Sequence, residues 1–153
     1  DLHNVAHSFP TRRSSDLLWI DHGARPDAEQ YAYVVCPDVS VEAMRRLSET
    51  PPARIVAQSN ELLAIVSHDG KLLQAAFFRP GQVTWGDGRT LAVDEPALVM
   101  LDETWVFPRL YVCDPTQKRK ALRVRLSWYS KAEIVVPLPE GGFAGQTVDV
   151  NLH

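Results

Sequence analysis

The chain has 153 residues, 45% of them hydrophobic and 23% charged, with 11 Pro, 8 Gly, 2 Cys and a formal net charge of −3. That apolar content excludes a disordered chain, and the sparse Gly and Cys exclude collagen-like and disulfide-dense scaffolds. The mildly acidic balance argues against nucleic acid as a partner, which would demand a basic face, and no apolar run approaches the roughly 20 residues of a membrane helix.

Residues 1–17 show neither helical nor strand periodicity and lack the apolar core of a signal peptide. The string from His7 to Leu17, HSFPTRRSSDL, resembles the translation of a short-read sequencing adapter, and Asp1-Leu2-His3 fits the flank of the same adapter, with Asn4-Val5-Ala6 in the place of its index. The segment is expected to be artefactual and no part of the fold. The native reading then begins near Leu18, inside a longer parent protein.

Leu18-Trp19-Ile20 reads as a strand entering a turn at Asp21-His22-Gly23, and the following stretch with Pro26 reads as a loop. Tyr31-Ala32-Tyr33-Val34-Val35-Cys36 is aromatic and β-branched, apolar on both faces and stopped by Pro37, which predicts a buried strand. One helix follows. Ser40 is a natural N-cap, Glu42 sits in the first turn, Val41, Met44 and Leu47 share a face, and Pro51-Pro52 ends it.

From Ala53 onward short strands recur at 54–57, 62–67, 71–78, 83–85, 89–93, 97–101, 105–113, 121–128, 133–138 and 147–152. His68-Asp69-Gly70 and Gly86-Asp87-Gly88 are hairpin signals. Leu122, Val124, Leu126 and Trp128 alternate with Arg123, Arg125 and Ser127, the period-two mark of a half-buried strand. Strands every 8–12 residues or so, separated by turn signals, predict an all-β fold built as an antiparallel β-sandwich.

The chemistry-bearing residues are few. Cys36 and Cys113 lie in apolar runs without zinc-ligand spacing and are expected to be small buried hydrophobes. His22, beside Asp21 and Gly23, reads as a turn histidine rather than a general base, which would need an orienting partner and a pocket. Tyr31 and Tyr33 point to one face and either form a sugar-stacking platform or pack; packing is expected for them and for Trp19, Trp85, Trp105 and Trp128. Among the tryptophans Trp85, near a hairpin tip, is the one with the strongest case for exposure. Asp114-Pro115-Thr116 is a turn signature whose side-chain oxygens can bond nearby backbone, and Lys118-Arg119-Lys120 is expected to be a solvated loop. There is no nucleophile elbow, phosphate-binding glycine loop or metal-binding His pair. No catalytic residue, metal or cofactor is assigned, and substrate-binding residues stay unknown.

The run Trp19-Ile20-Asp21-His22-Gly23, then Pro26, then Tyr31 to Pro37, resembles a signature of the family 8 polysaccharide lyases, the hyaluronate, chondroitin AC and xanthan lyases. Phe77-Phe78, Pro96-Ala97-Leu98-Val99 and Val112-Cys113-Asp114-Pro115-Thr116 resemble later motifs of the same family in the same order. The resemblance covers essentially all of residues 18–153. It implies the tail of a central β super-sandwich at 18–37, a helical connector at 38–52, and a C-terminal β-sandwich domain at 53–153. It implies further that the parent cleaves acidic polysaccharides by β-elimination with Asn, His, Tyr and Arg. Those residues sit mainly on an N-terminal α/α toroid that this chain lacks, and Tyr31 and Tyr33 do not match the catalytic tyrosine. The resemblance thus implies a non-catalytic C-terminal fragment of a secreted or periplasmic lyase. It would meet acidic polysaccharide only through the parent and pack on the missing central β domain. The alternative is a stand-alone carbohydrate-binding or structural β-sandwich.

Overall fold

The computed structural model describes residues 21, 23, 24, 30–131 and 133–153. The predicted first strand at 18–20 lies outside the described residues, as do Trp19, His22 and Pro26. The chain divides into two units, Asp1–Asp38 and Val39–His153.

In the first unit, Tyr31 and Tyr33 stack with ring centroids 6.3 Å apart and planes 12° from parallel. Both are exposed, as are Val34 and Val35. The buried strand expected at 31–36 is not found: the segment joins neither sheet. Strand propensity is a preference for packing on a pleated surface, and it yields a strand only where a neighbouring strand completes the ladder.

The second unit opens with helix α1 (Val41–Glu49). Ser40 caps it by accepting from the Ala43 N–H at 3.1 Å, and Arg45 bridges Glu42 and Glu49 on its surface. Ten strands follow: β1 (Ala53–Gln58), β2 (Leu62–Ser67), β3 (Leu72–Phe77), β4 (Gly81–Trp85), β5 (Arg89–Val93), β6 (Ala97–Asp102), β7 (Arg109–Cys113), β8 (Ala121–Leu126), β9 (Ile134–Pro137) and β10 (Val148–Asn151). They form a six-stranded sheet in the order β1-β2-β3-β6-β7-β10 and a four-stranded sheet in the order β4-β5-β8-β9. Every pairing is antiparallel, so the predicted all-β antiparallel sandwich is the fold.

Period-two alternation drives one residue in two inward. Val66, Leu73, Phe77, Leu101 and Leu110 from the larger sheet meet Val83, Leu91, Leu122 and Val124 from the smaller one, all essentially without solvent contact. The β4–β5 turn needs Gly86 at φ 55° and Gly88 at φ 83°, left-handed backbone that strains any residue with a Cβ. The predicted strand at 105–113 begins only at Arg109. Asp102 accepts from the Thr104 N–H and hydroxyl and from the Trp105 indole N–H, which folds the preceding residues into a side-chain-stabilised turn.

Candidate functional site

The buried carboxylate is the first candidate for chemistry. Asp114, at the end of β7, is 2% exposed and the only buried polar or charged residue among those described. Its Oδ1 accepts from the Thr116 N–H and Thr116 Oγ, each at 2.7 Å, and its Oδ2 from the Lys118 and Arg119 N–H groups, each at 2.8 Å. Burial pushes its pKa up, but the hydrogen bonds from Thr116 and the three backbone N–H groups outweigh it and bring the carboxyl down to about 2. All four lone-pair positions are occupied, so the group neither accepts a proton near neutral pH nor reaches a ligand. The predicted structural turn is what the residues make.

The other perturbed carboxylates have the same explanation. Asp69 is lowered chiefly by the Ser67 hydroxyl and the Lys71 N–H in the β2–β3 turn, and Asp102 by the Thr104 side chain and backbone. Asp21 Oδ1 accepts from the Gly23 N–H at 2.8 Å, a local turn bond beside the undescribed His22. Among the described residues no group of three or more His, Cys, Asp or Glu side chains is placed to hold a metal ion. Lys118, Arg119 and Lys120 are exposed as expected, with Arg119 on Glu95 at 2.9 Å and Lys120 on Glu140 at 3.3 Å.

The tryptophans follow the sequence reading only in part. Trp85 packs as expected and is 4% exposed, although it lies near a hairpin tip. It shares the inward parity of Val83, and the end of the sandwich closes over it. Trp128 packs edge-on against it with centroids 5.3 Å apart. The Arg89 guanidinium lies 3.8 Å from the Trp128 ring centroid and 5.1 Å from that of Trp85, and pairs in bidentate fashion with Glu103. This stack seals the end of the core. Trp105, expected to pack, is instead 54% exposed, held by Asp102 and covered on one side by Arg109 with its guanidinium 4.8 Å from the ring centre. Arg109 in turn bonds Asp149 at 2.9 Å.

Cys113 and Cys36 are half-buried free thiols rather than the fully buried hydrophobes expected. Cys113 sits on the outward face of β7, where it lines a shallow trough of about 490 Å³ with Leu63, Ile65, Leu98, Met100 and Tyr111. This apolar outer face was not anticipated from the sequence. Its signal was available: β2 reads Leu-Leu-Ala-Ile-Val and β6 reads Ala-Leu-Val-Met-Leu, apolar at both parities where one buried face needs only alternation.

Residues 54–123 match the model of the polysaccharide lyase family 8 C-terminal beta-sandwich domain. The sandwich is a polysaccharide lyase family 8 C-terminal domain. The chain is 31% identical over 137 residues to chondroitinase-AC of Pedobacter heparinus, a match covering 87% of this chain and 19% of that protein. It is 30% identical over 114 residues to a hyaluronate lyase of Thermasporomyces composti, covering 74% of this chain and 14% of that one. A solved structure of chondroitinase AC lyase, described through its oligosaccharide complexes, superposes with a TM-score of 0.73 at 27% identity. It covers 84% of this chain and 19% of the other. The lyase family 8 chain described here therefore spans about a fifth or less of the relatives it matches.

Proposed function

We propose that this chain is the C-terminal, non-catalytic part of a secreted or periplasmic polysaccharide lyase that cleaves acidic polysaccharide of the hyaluronan, chondroitin or xanthan type by β-elimination. Within that parent it braces the central β domain, and it meets polysaccharide only through the enzyme as a whole. The match to the family's C-terminal beta-sandwich domain, and to about a fifth of a chondroitinase, carries this reading. The fate of Asp114 supports it: the one deeply buried carboxylate among the described residues is saturated by its own turn.

The test is a long read across the source locus upstream of the codon for Leu18, followed by expression of the parent and of this chain on chondroitin and hyaluronan. The parent is expected to release unsaturated uronate, and the chain alone none. A start codon and signal peptide directly before Leu18 would remove the lyase reading, and product from the chain alone would make it an enzyme in its own right. Exposed Trp105, held in orientation by Asp102 and Arg109, favours carbohydrate binding as the second reading. Glycan binding lost in Trp105→Ala would select it.

A further inference from the structure

The three described tryptophans gather at one end of the sandwich. Trp85 ends β4, Trp105 follows β6 and Trp128 follows β8, and the Arg89–Glu103 pair brings these strand ends together. Trp85 and Trp128 are used to close the core. Trp105 is held away from it. Its indole N–H donates to Asp102 at 3.0 Å, and Arg109, directly opposite Asp102 across the β6–β7 ladder, covers one face of the ring. Asp149 in turn holds Arg109 at 2.9 Å. The N–H edge and one face are thereby committed, yet more than half of the residue stays exposed, which leaves the opposite face in water. Phe107, two residues on in the same loop, is exposed as well. A large aromatic fixed on two sides and left open on the third stands apart from the scattered apolar residues of an ordinary surface. Its orientation is settled before any ligand arrives, which lowers the entropic cost of binding.

The groups around the ring decide what it would take. The face of an indole carries the negative side of the ring quadrupole, which suits C–H groups such as those lining the face of an equatorially substituted pyranose. Beside it lie the carboxylates of Asp102 and Asp149 and the amide of Asn151, which stands opposite Arg109 across the β7–β10 ladder. Carboxylates accept from hydroxyl groups and repel other anions. Two of them stand here against the single guanidinium of Arg109, and Glu103 is already neutralised by Arg89. We propose that the open face of Trp105 is a binding site for a neutral, equatorially linked pyranose chain, with Asp102, Asp149 and Asn151 as partners for its hydroxyls. The inference rests on the second reading above, carbohydrate binding at Trp105, and names the class of glycan; it does not depend on the lyase reading. The site would differ in kind from one for an acidic polysaccharide.

The test uses the 153-residue chain. The indole N–H resonance of Trp105, assigned by its absence from Trp105→Ala, is followed by NMR during titration with three probes: cellohexaose, hyaluronan hexasaccharide, and the same hexasaccharide with its carboxyl groups reduced to alcohols. The last two share their shape and differ in charge. Cellohexaose and the reduced hexasaccharide are expected to shift the resonance and to bind about fivefold or more tightly than hyaluronan in about 0.02 M NaCl, where repulsion is least screened. Saturation transfer to cellohexaose should be lost in Trp105→Ala and kept in Phe143→Ala, which removes an exposed aromatic in the β9–β10 connection at the other end of the sandwich. Equal or tighter binding of hyaluronan at Trp105 would overturn the proposed class and leave carbohydrate binding there standing. No shift with any of the three probes would remove that reading and the inference with it. Binding of cellohexaose that survives Trp105→Ala would place the glycan elsewhere and overturn the site.

Discussion

Replacing Asp114 by Asn keeps the shape of the side chain and removes its charge, which isolates what the carboxylate contributes. The wild-type group titrates at about 2 in the fold against 3.8 for the ordinary carboxyl. By linkage that difference stabilises the fold by roughly 2 kcal/mol at neutral pH. The bonding gives a similar figure. An Asn amide turned toward Thr116 lets the threonine hydroxyl reverse its role, but it sets NH₂ against the Thr116 N–H, a donor facing a donor. The Lys118 and Arg119 N–H groups keep an oxygen but lose its charge. Because Thr116, Lys118 and Arg119 are themselves exposed residues, the expected cost stays at about 2 kcal/mol rather than several times that. In a domain of this size it corresponds to a fall in Tm of roughly 8–16 °C. The folded pKa lies below the unfolded one, so the stabilisation is complete above about pH 4 and is lost as the pH falls toward 2. Thermal melts of Asp114→Asn and wild type at pH 7 and pH 2.5, followed by circular dichroism, should therefore show a wide gap that narrows in acid. A gap below about 3 °C at neutral pH, or one that does not change with pH, would refute the reasoning.

Two further perturbations test the frame around that turn. Arg89→Ala removes the cation between Trp85 and Trp128 and leaves Glu103, only 18% exposed, without its partner; urea unfolding followed by tryptophan fluorescence should show a loss of about 2–3 kcal/mol, and Arg89→Lys should recover little because it has no planar fork to span two rings. Gly88→Ala meets no atom within 4 Å, so its expected cost of about 1 kcal/mol is the strain of φ 83° alone, and Gly142→Ala, equally uncrowded but without positive φ, should melt like wild type.

Most of the strand layout was legible because two local signals agreed. The spans 62–67 and 89–93 coincide with β2 and β5, where alternation or a β-branched run is bounded by Asx or glycine turns. The helix was legible for the same reason, with Ser40 and Pro51-Pro52 marking its ends. The departures come from individual side-chain contacts that composition and periodicity do not encode. Trp85 looks exposed next to a glycine turn, yet it is buried by Trp128, 43 positions on, and by the Arg89–Glu103 pair. Trp105 looks like the start of a strand until Asp102 captures its indole N–H. Tyr31 to Cys36 has strand composition and joins neither sheet among the described residues.

The candidate site was less legible than the fold, because it is a property of a whole sheet face rather than of a motif. β8 shows what a strand with one wet face looks like: Leu122, Val124 and Leu126 go in, Arg123 and Arg125 go out. β2 and β6 break that rule. Half of Leu63, Ile65 and Leu98 is already accounted for by neither the core nor any need of the ladder, since their inward neighbours Ala64, Val66 and Val99 fill the sandwich by themselves. Apolar side chains left in water on one strand are ordinary. Aligned across several neighbouring strands, they form a contiguous apolar patch, whereas the opposite sheet shows Val135 as its one large exposed hydrophobic among the described strand residues. The same reasoning applied to sequence alone would compare strands within one sheet for alternation, and would single out β2 and β6 before any coordinates were known.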